Sequence, residues 1–331
     1  SLTIENCMIL GNDAWGVTSF GGGIHCTGAL TISDSQIRDN NAGDPGNMAS
    51  GGTGGGVYVV GNSFTVTRCF IANNKARAGG GLHAREANGE ISYSTFIGNT
   101  VYEHGGGVYV EDTTSSIRNS TFRDNDGGWS GGGLFQGQFL SNNSDATILN
   151  STFSNNIARA GGGLDVHNGS MDLSFVTVTE NKADHADVWL IGNGGGLYKN
   201  SSPTAVVRIK NSIIGGNTDG STGFGLAVHP DCSGDIISMG GNVFGNVNGC
   251  SGYTADDAVN AAPELSALAN NGGETWTHAL NETSPAINFC FACTDVAGNV
   301  IEMDQRDEAR FPYKVFQCDS GAFESNHTPL P

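Results

Sequence analysis

The side chains able to do chemistry recur at one place in a repeated pattern. His83 and Arg85, Tyr109 and Glu111, and Asp165 and His167 each stand two apart, in short segments that follow a glycine triplet. Residues two apart on an extended strand share a face, so these six project the same way. Guanidinium, imidazole and carboxylate together could hold a uronate carboxylate and remove the adjacent proton, which is the chemistry of a polysaccharide lyase. Glu111 with Asp165 could supply the two carboxylates, about 5–10 Å apart, that a glycosidase needs. The competing reading is that these are solvated polar positions on a sheet. Basic residues are scarce and no compact Asp cluster is present. The sequence therefore leans toward binding over catalysis and singles out no catalytic residue.

These segments belong to a longer column. Ile24, Val57, Leu82, Val108, Leu134, Leu164 and Leu197 are each followed by one of His25, Tyr58, His83, Tyr109, Phe135, Asp165 and Tyr198. Alternation sends the aliphatic set inward and the second set outward. The outward set is the candidate ligand or partner face, because exposed rings with a polar edge suit sugar rings or a protein surface. The same rings, stacked strand on strand under a loop, would equally well stabilise the sheet. Trp15, Trp129 and Trp189 lie in loops before triplets and fit either a partner contact or burial under a loop.

The elements that position this face are the triplets. They begin at Gly21, Gly54, Gly79, Gly105, Gly131, Gly161 and Gly194, spaced 33, 25, 26, 26, 30 and 33 residues apart, with a degraded copy at Gly223-Phe224-Gly225-Leu226. A unit of this length cannot bury its own apolar face and must stack on its neighbours. Between triplets run three further columns. Ile4, Ile32, Val66, Ile91, Ile117, Ile148, Leu173 and Ile209 form the first. Five positions later come Ile9, Ile37, Ile71, Phe96, Phe122, Phe153, Val178 and Ile214. Three later come Asn12, Asn40, Asn74, Asn99, Asn125, Asn156, Asn181 and Asn217. A small-residue column, Cys7, Ser35, Cys69, Ser94, Ser120, Ser151, Val176 and Ser212, precedes the second by two. This is the pattern of a coiled parallel sheet in which equivalent residues stack about 4.8 Å apart. Aliphatic and Phe ladders fill the interior. An Asn ladder suits tight corners, where Asn tolerates left-handed angles and bonds the main chain. The expected fold is all-β, a single-stranded parallel coil of about eight rungs over residues 1–230, with a C-terminal continuation and capping module over 231–331.

The triplet with its following aliphatic and aromatic residue, and Phe-x-x-Asn as in Phe96-Ile97-Gly98-Asn99 and Phe122-Arg123-Asp124-Asn125, resemble the repeats of chlamydial polymorphic membrane proteins. The resemblance implies a right-handed parallel β-helix on a secreted or surface-displayed protein. Past Asp231, the run Asn270-Asn271-Gly272-Gly273-Glu274, Ser284-Pro285-Ala286-Ile287, Asp304-Gln305-Arg306 and Cys318-Asp319-Ser320-Gly321 is similar to the C-terminal module of bacterial choice-of-anchor Q proteins. Asn288 and Asp307 depart from that pattern, standing where Asp and Gly are usual. The resemblance implies disulfides Cys232–Cys250 and Cys293–Cys318, and a module that continues and then caps the rod.

Composition narrows the function. Acidic residues number 33 against 15 basic, for a net charge of -18, which argues against nucleic acid and anionic membranes. No apolar run is long enough for a membrane span. Asp39-Asn40-Asn41 and Asp124-Asn125-Asp126 place carboxylates at corners where calcium could sit, without a complete EF-hand spacing; no other metal or cofactor is expected. Cys7, Cys26 and Cys69 read as small buried residues, and Cys290 as free or competing for Cys318. The sequons at Asn119 and Asn150 fall within the strand repeat. Open β-helix ends expose unpaired main-chain groups, so self-association through the first rung, end to end, is a further expectation. The expected function is a secreted or cell-surface structural and adhesive protein that binds a glycan, a host or cell-surface protein, or its own copies. The alternative is a polysaccharide-binding or polysaccharide-degrading protein using the His/Tyr face.

Overall fold

The computed structural model describes residues 1–16, 18–44, 49, 51–137, 144–183, 193–220, 228–310 and 317–325. The degraded triplet at 223–226, Trp189 and most of the loop around it lie outside them. Every pair among the described strands is parallel, and in the apolar columns like stacks on like. Val57–Thr67, Phe70–Ala72 and Lys75–Ala76 make one turn, and Leu82–Ser92, Thr95–Ile97 and Thr100–Val101 make the next. Leu82 sits between Val57 and Val108, His83 between Tyr58 and Tyr109, and Phe96 between Ile71 and Phe122. The three walls enclose one apolar core of stacked Ile, Val, Leu and Phe. Phe122 stacks on Phe96 at 4.9 Å and on Phe153 at 4.6 Å, nearly coplanar in both cases.

The second wall is a 10-stranded sheet with one strand per turn: the eight turns expected before residue 230 and two beyond it. The two extra turns use Cys232–Asp235, Ile237–Ser238, Val243–Phe244, Cys250–Ser251 and Ala258–Val259. They lie inside the segment expected to continue the rod. No triplet marks them; the Cys232–Cys250 disulfide instead ties one turn to the next.

Glycine is required where the third wall turns into the first. Gly79 has φ +62°, and a Cβ on Gly81 would lie 2.5 Å from the Gly107 carbonyl oxygen of the next turn. Facing that tight strip is the asparagine ladder. Each Oδ1 accepts both the main-chain N–H and the Nδ2 of the asparagine before it: from Asn99 to Asn125 at 3.1 and 3.0 Å, and from Asn125 to Asn156 at 3.1 and 2.9 Å. The second Nδ2 proton goes to a carbonyl of the preceding turn, as from Asn125 to Phe96 at 3.0 Å. The ladder asparagines are not themselves left-handed. That conformation falls on the residue before each, such as Asp39 (φ 58°), Asn73 (55°) and Asp124 (58°). Asn is chosen at the ladder because it both donates and accepts. The ladder ends on Asp231, whose Oδ1 accepts from Asn217 N and Nδ2 at 2.8 and 2.9 Å and which has no amide proton to pass on.

Beyond the coil, the described part of the C-terminal unit folds back along the side wall, over the corner between the first and second walls. Corner residues of five successive turns hold it: Tyr93 Oη donates to Asp307, Asn119 Nδ2 to the Gln305 carbonyl, Asn150 Nδ2 to the Met303 carbonyl and Asn211 Nδ2 to the Ala292 carbonyl. Phe175 completes the row in a cluster with Cys290, Cys293 and Cys318. Arg310, wholly buried, lies 4.0 Å over the Phe175 ring and donates to Asn150 Oδ1 and Glu324. The reason is chemical: these corner side chains are donors aimed outward, and an irregular chain supplies the carbonyls. Asn119 and Asn150 are thereby buried as sequons. Asp307 has φ +65°, which explains why glycine is the easier residue there.

Candidate functional site

The outward column forms, but most of it is not exposed. His25 is exposed and Tyr198 half-buried, whereas Tyr58 and His83 are 4% exposed, Tyr109 8%, and Phe135 and Asp165 0%. In the central turns the column is therefore packed under a cover, as the second of the two readings has it, and is not an open platform. The chain leading into each triplet crosses outside the column and covers it. Residues one before each triplet bridge to their equivalents, Phe20 to Thr53 to Ala78 and His104 to Ser130 to Ala160. Beneath them the rings touch in sequence: His25 to Tyr58 at 5.4 Å, Tyr58 to His83 at 5.1 Å, His83 to Tyr109 at 4.3 Å and Tyr109 to Phe135 at 5.0 Å.

One opening breaks this cover. A pocket of about 410 Å³ lies between the crossing segments and the column. Tyr58, His83 and Tyr109 line it from the wall, Arg85 and Glu111 from the positions two residues on, and Phe20, Thr53, Arg77, Glu103 and His104 from the crossing segments. Glu111, 4% exposed, is held by His83 Nε2 at 3.2 Å and Arg85 Nε at 3.4 Å. Burial alone would raise its carboxyl, but the bond from His83 and the Arg85 charge outweigh it and hold Glu111 below its ordinary range. Burial keeps His83 neutral by lowering its pKa, against the pull of Glu111. His83 thus donates Nε2–H to the carboxylate and keeps a lone pair on Nδ1. At the rim, Arg77 faces Glu103 at 3.6 Å, and Arg85 also meets Glu86 at 3.3 Å.

The expected pairing of Glu111 with Asp165 does not form. Glu111 stacks on Arg85, whereas Asp165 stacks on Phe135 and Tyr198 in the neighbouring column. Asp165 sits against His167 at 3.3 Å; burial raises its carboxyl and lowers His167 to about 4. This second pair is sealed away from the pocket's lining. The corner carboxylates considered for calcium are engaged: Asp124 accepts from Arg123 and Asn155 at 2.7 and 2.6 Å, and Asp39 from Arg38 and Asn73 at 3.0 and 3.2 Å. Among the described residues no three His, Cys, Asp or Glu side chains converge to hold a metal ion. Cys232–Cys250 and Cys293–Cys318 are bonded; Cys26, Cys69 and Cys290 are buried and free. Cys7 is exposed, contrary to expectation, since nothing described stacks above it in the first turn.

A family model described as a right handed beta helix region matches residues 1–261. The chain belongs to the right-handed β-helix family. The match ends just after the last strand of the coil, Ala258–Val259. No curated protein and no solved structure matches the chain.

Within this β-helix, the site residues missed from sequence are those of the crossing segments. They had a signal: a fixed offset from the triplet. The position two before each first glycine reads Ser19, Gly52, Arg77, Glu103, Trp129 and Arg159; the position one before reads Phe20, Thr53, Ala78, His104, Ser130 and Ala160. Lining the repeats up on the triplets places both columns beside the aromatic one. No described helix of the β-helix is long and apolar enough to cross a membrane.

Proposed function

We propose that this protein is a secreted or cell-surface β-helix that works by binding a glycan, with the pocket between Phe20 and Glu111 holding a sugar ring. One observation carries the reading. Thr53 Oγ1 and His83 Nδ1 are buried, belong to residues lining the pocket and have no hydrogen-bond partner, while Arg77 Nε, Arg85 Nε and Glu111 Oε1 there meet only opposite charges at 3.3–3.6 Å, without a formed hydrogen bond. Native proteins leave few buried polar atoms unsatisfied, and this set around one opening has hydrogen-bonding capacity left for a polar occupant. The set mixes donors and acceptors over aromatic rings, which fits a polyhydroxylated ring with apolar faces. Disulfides in a strongly acidic chain support an exported protein.

The test is a glycan microarray followed by calorimetry with the best binder. Arg85→Ala and Glu111→Gln are each expected to weaken binding about tenfold or more, with the fold intact by circular dichroism. The reading is abandoned if no glycan binds, or if both variants bind as the parent does. Degradation is the second reading. It draws on the His83–Glu111 pair, which leaves a lone pair on Nδ1, and it requires reducing ends to appear with time and to vanish in His83→Gln.

A further inference from the structure

Resting on the glycan reading above, we infer that the ligand is a neutral linear polysaccharide lying parallel to the rod axis, with the pocket as its middle subsite. The first observation is a row of exposed aromatics on the corner that leads into the triplets. Trp15 is 70% exposed, Phe20 44%, Tyr102 40% and Trp129 42%. A lone exposed ring is ordinary, but a row on one edge marks a contact surface. The rings are held in place. Phe20 packs on Tyr58 at 4.9 Å, and Trp129 on Tyr102 at 5.6 Å and on His104 at 6.1 Å. The exposed rings thus stand in two groups, one on each side of the pocket, and each group touches one of the pocket's own rings.

The ladder sets its direction and length. Arg77 N donates to Gly52 O, Glu103 N to Arg77 O and Trp129 N to Glu103 O, all at 2.8 Å, so these positions climb one turn at a time. From the Phe20 position to the Trp129 position is four turns, roughly 19 Å at the spacing of parallel strands. That exceeds one sugar ring several-fold. Between the aromatic ends stand Arg77 and Glu103, 3.6 Å apart, a donor and an acceptor suited to hydroxyl groups. A single sugar would leave Tyr102 and Trp129 without a role; a chain along the axis uses both ends and the middle.

Charge selects the class. Arg77 and Arg85 are matched by Glu86, Glu103 and Glu111 around the site, in a protein of net charge -18. Each guanidinium already faces a carboxylate, so a polyuronate would meet no free positive charge and would be repelled at long range. Uncharged sugars pay no such penalty.

Calorimetry with one- to six-unit ladders of cello-, xylo- and mannooligosaccharides, and of oligogalacturonate as the acidic probe, tests this. The expected result is that a neutral ladder binds, that Kd falls at least tenfold between one and about four units and then levels, and that Trp129→Ala and Phe20→Ala each remove most of that gain with length. Tighter binding of oligogalacturonate, a Kd independent of length, or an unchanged length dependence in both variants overturns the inference while leaving the pocket reading intact. No binding by any ladder or by the microarray overturns both.

Discussion

Replacing Asn125 by alanine should destabilise the coil about as much as emptying a core position, although no apolar group is lost. The side chain is fully buried and makes four hydrogen bonds. Nδ2 donates to Phe96 O and to Asn156 Oδ1, and Oδ1 accepts from Asn99 N and Asn99 Nδ2. In Asn125→Ala the Asn99 main-chain N–H loses its acceptor inside a closed corner, at about 1–3 kcal/mol, and three further bonds go at about 0.5–1.5 kcal/mol each, for a total of about 4 kcal/mol. Asn12, at the start of the ladder, donates the same way to Asn40 but is exposed, so water replaces what Asn12→Ala removes and about 1 kcal/mol or less is expected. Asn125→Asp adds a pH signature. An ionised carboxylate can still accept from Asn99 but faces Phe96 O and Asn156 Oδ1 with no proton to offer, so its folded pKa is raised. Its stabilising form is the protonated one, present below the unfolded value of about 3.9 and lost as pH rises. Repeat arrays can depart from two-state unfolding, so urea denaturation should be joined to amide exchange read over Thr95–Asn125. Equal losses in Asn12→Ala and Asn125→Ala, or no acid recovery in Asn125→Asp, would refute the reasoning.

Three other expectations concern the side-wall unit. Arg310→Ala leaves Glu324 and Asn150 without their buried donor and should cost about 3–5 kcal/mol, seen as faster exchange over 286–325 with Leu82–Arg123 protected as before. Burial, with Asp319 beside it, raises Glu324 to about 8. A raised folded pKa contributes stability below the unfolded value of about 4.5 that is lost as pH climbs toward 8, so Glu324→Gln should flatten the fall in stability measured across that window. Cys318→Ser opens a disulfide spanning 25 residues and should cost about 3 kcal/mol, measured by denaturation and by faster proteolysis after Ala286; an unchanged midpoint would show that the wall contacts suffice.

The coil was legible because its physics is periodic. Inward columns must be apolar in every turn, so Ile32, Val66 and Ile91 announce one another, and the ladder asparagines repeat because each needs the next. A continuation past residue 230 was expected, but its two turns carry no triplet to place them, and the Cys232–Cys250 disulfide links them instead. The side-wall placement of the C-terminal unit was hidden for a related reason. Its anchors, Tyr93, Asn119, Asn150, Phe175 and Asn211, share a left-handed corner rather than a residue type. The alternation rule placed His83 and Tyr109 outward but could not say what crosses over them, because that cover comes from a different part of each repeat.

A stacked repeat also says where function can reside. Positions that face their own kind in the next turn are explained by stacking: Phe122 on Phe153, Asn125 on Asn156, glycine on glycine. The column two before each triplet breaks that rule, running Ser19, Gly52, Arg77, Glu103, Trp129 and Arg159. Cation, anion and indole one turn apart gain nothing from likeness, and Arg77, Glu103 and Trp129 reach solvent from the crossing segment. Such a column is released from the demands of the fold while being held at the fixed spacing of its main chain. It can therefore carry a sequence of different contacts at regular intervals, which is what a polymer with a regular repeat requires of its binder. The aromatic column beneath serves both ends, as packing for the sheet where it is covered and as the floor of the pocket where the cover parts between Phe20 and Glu111.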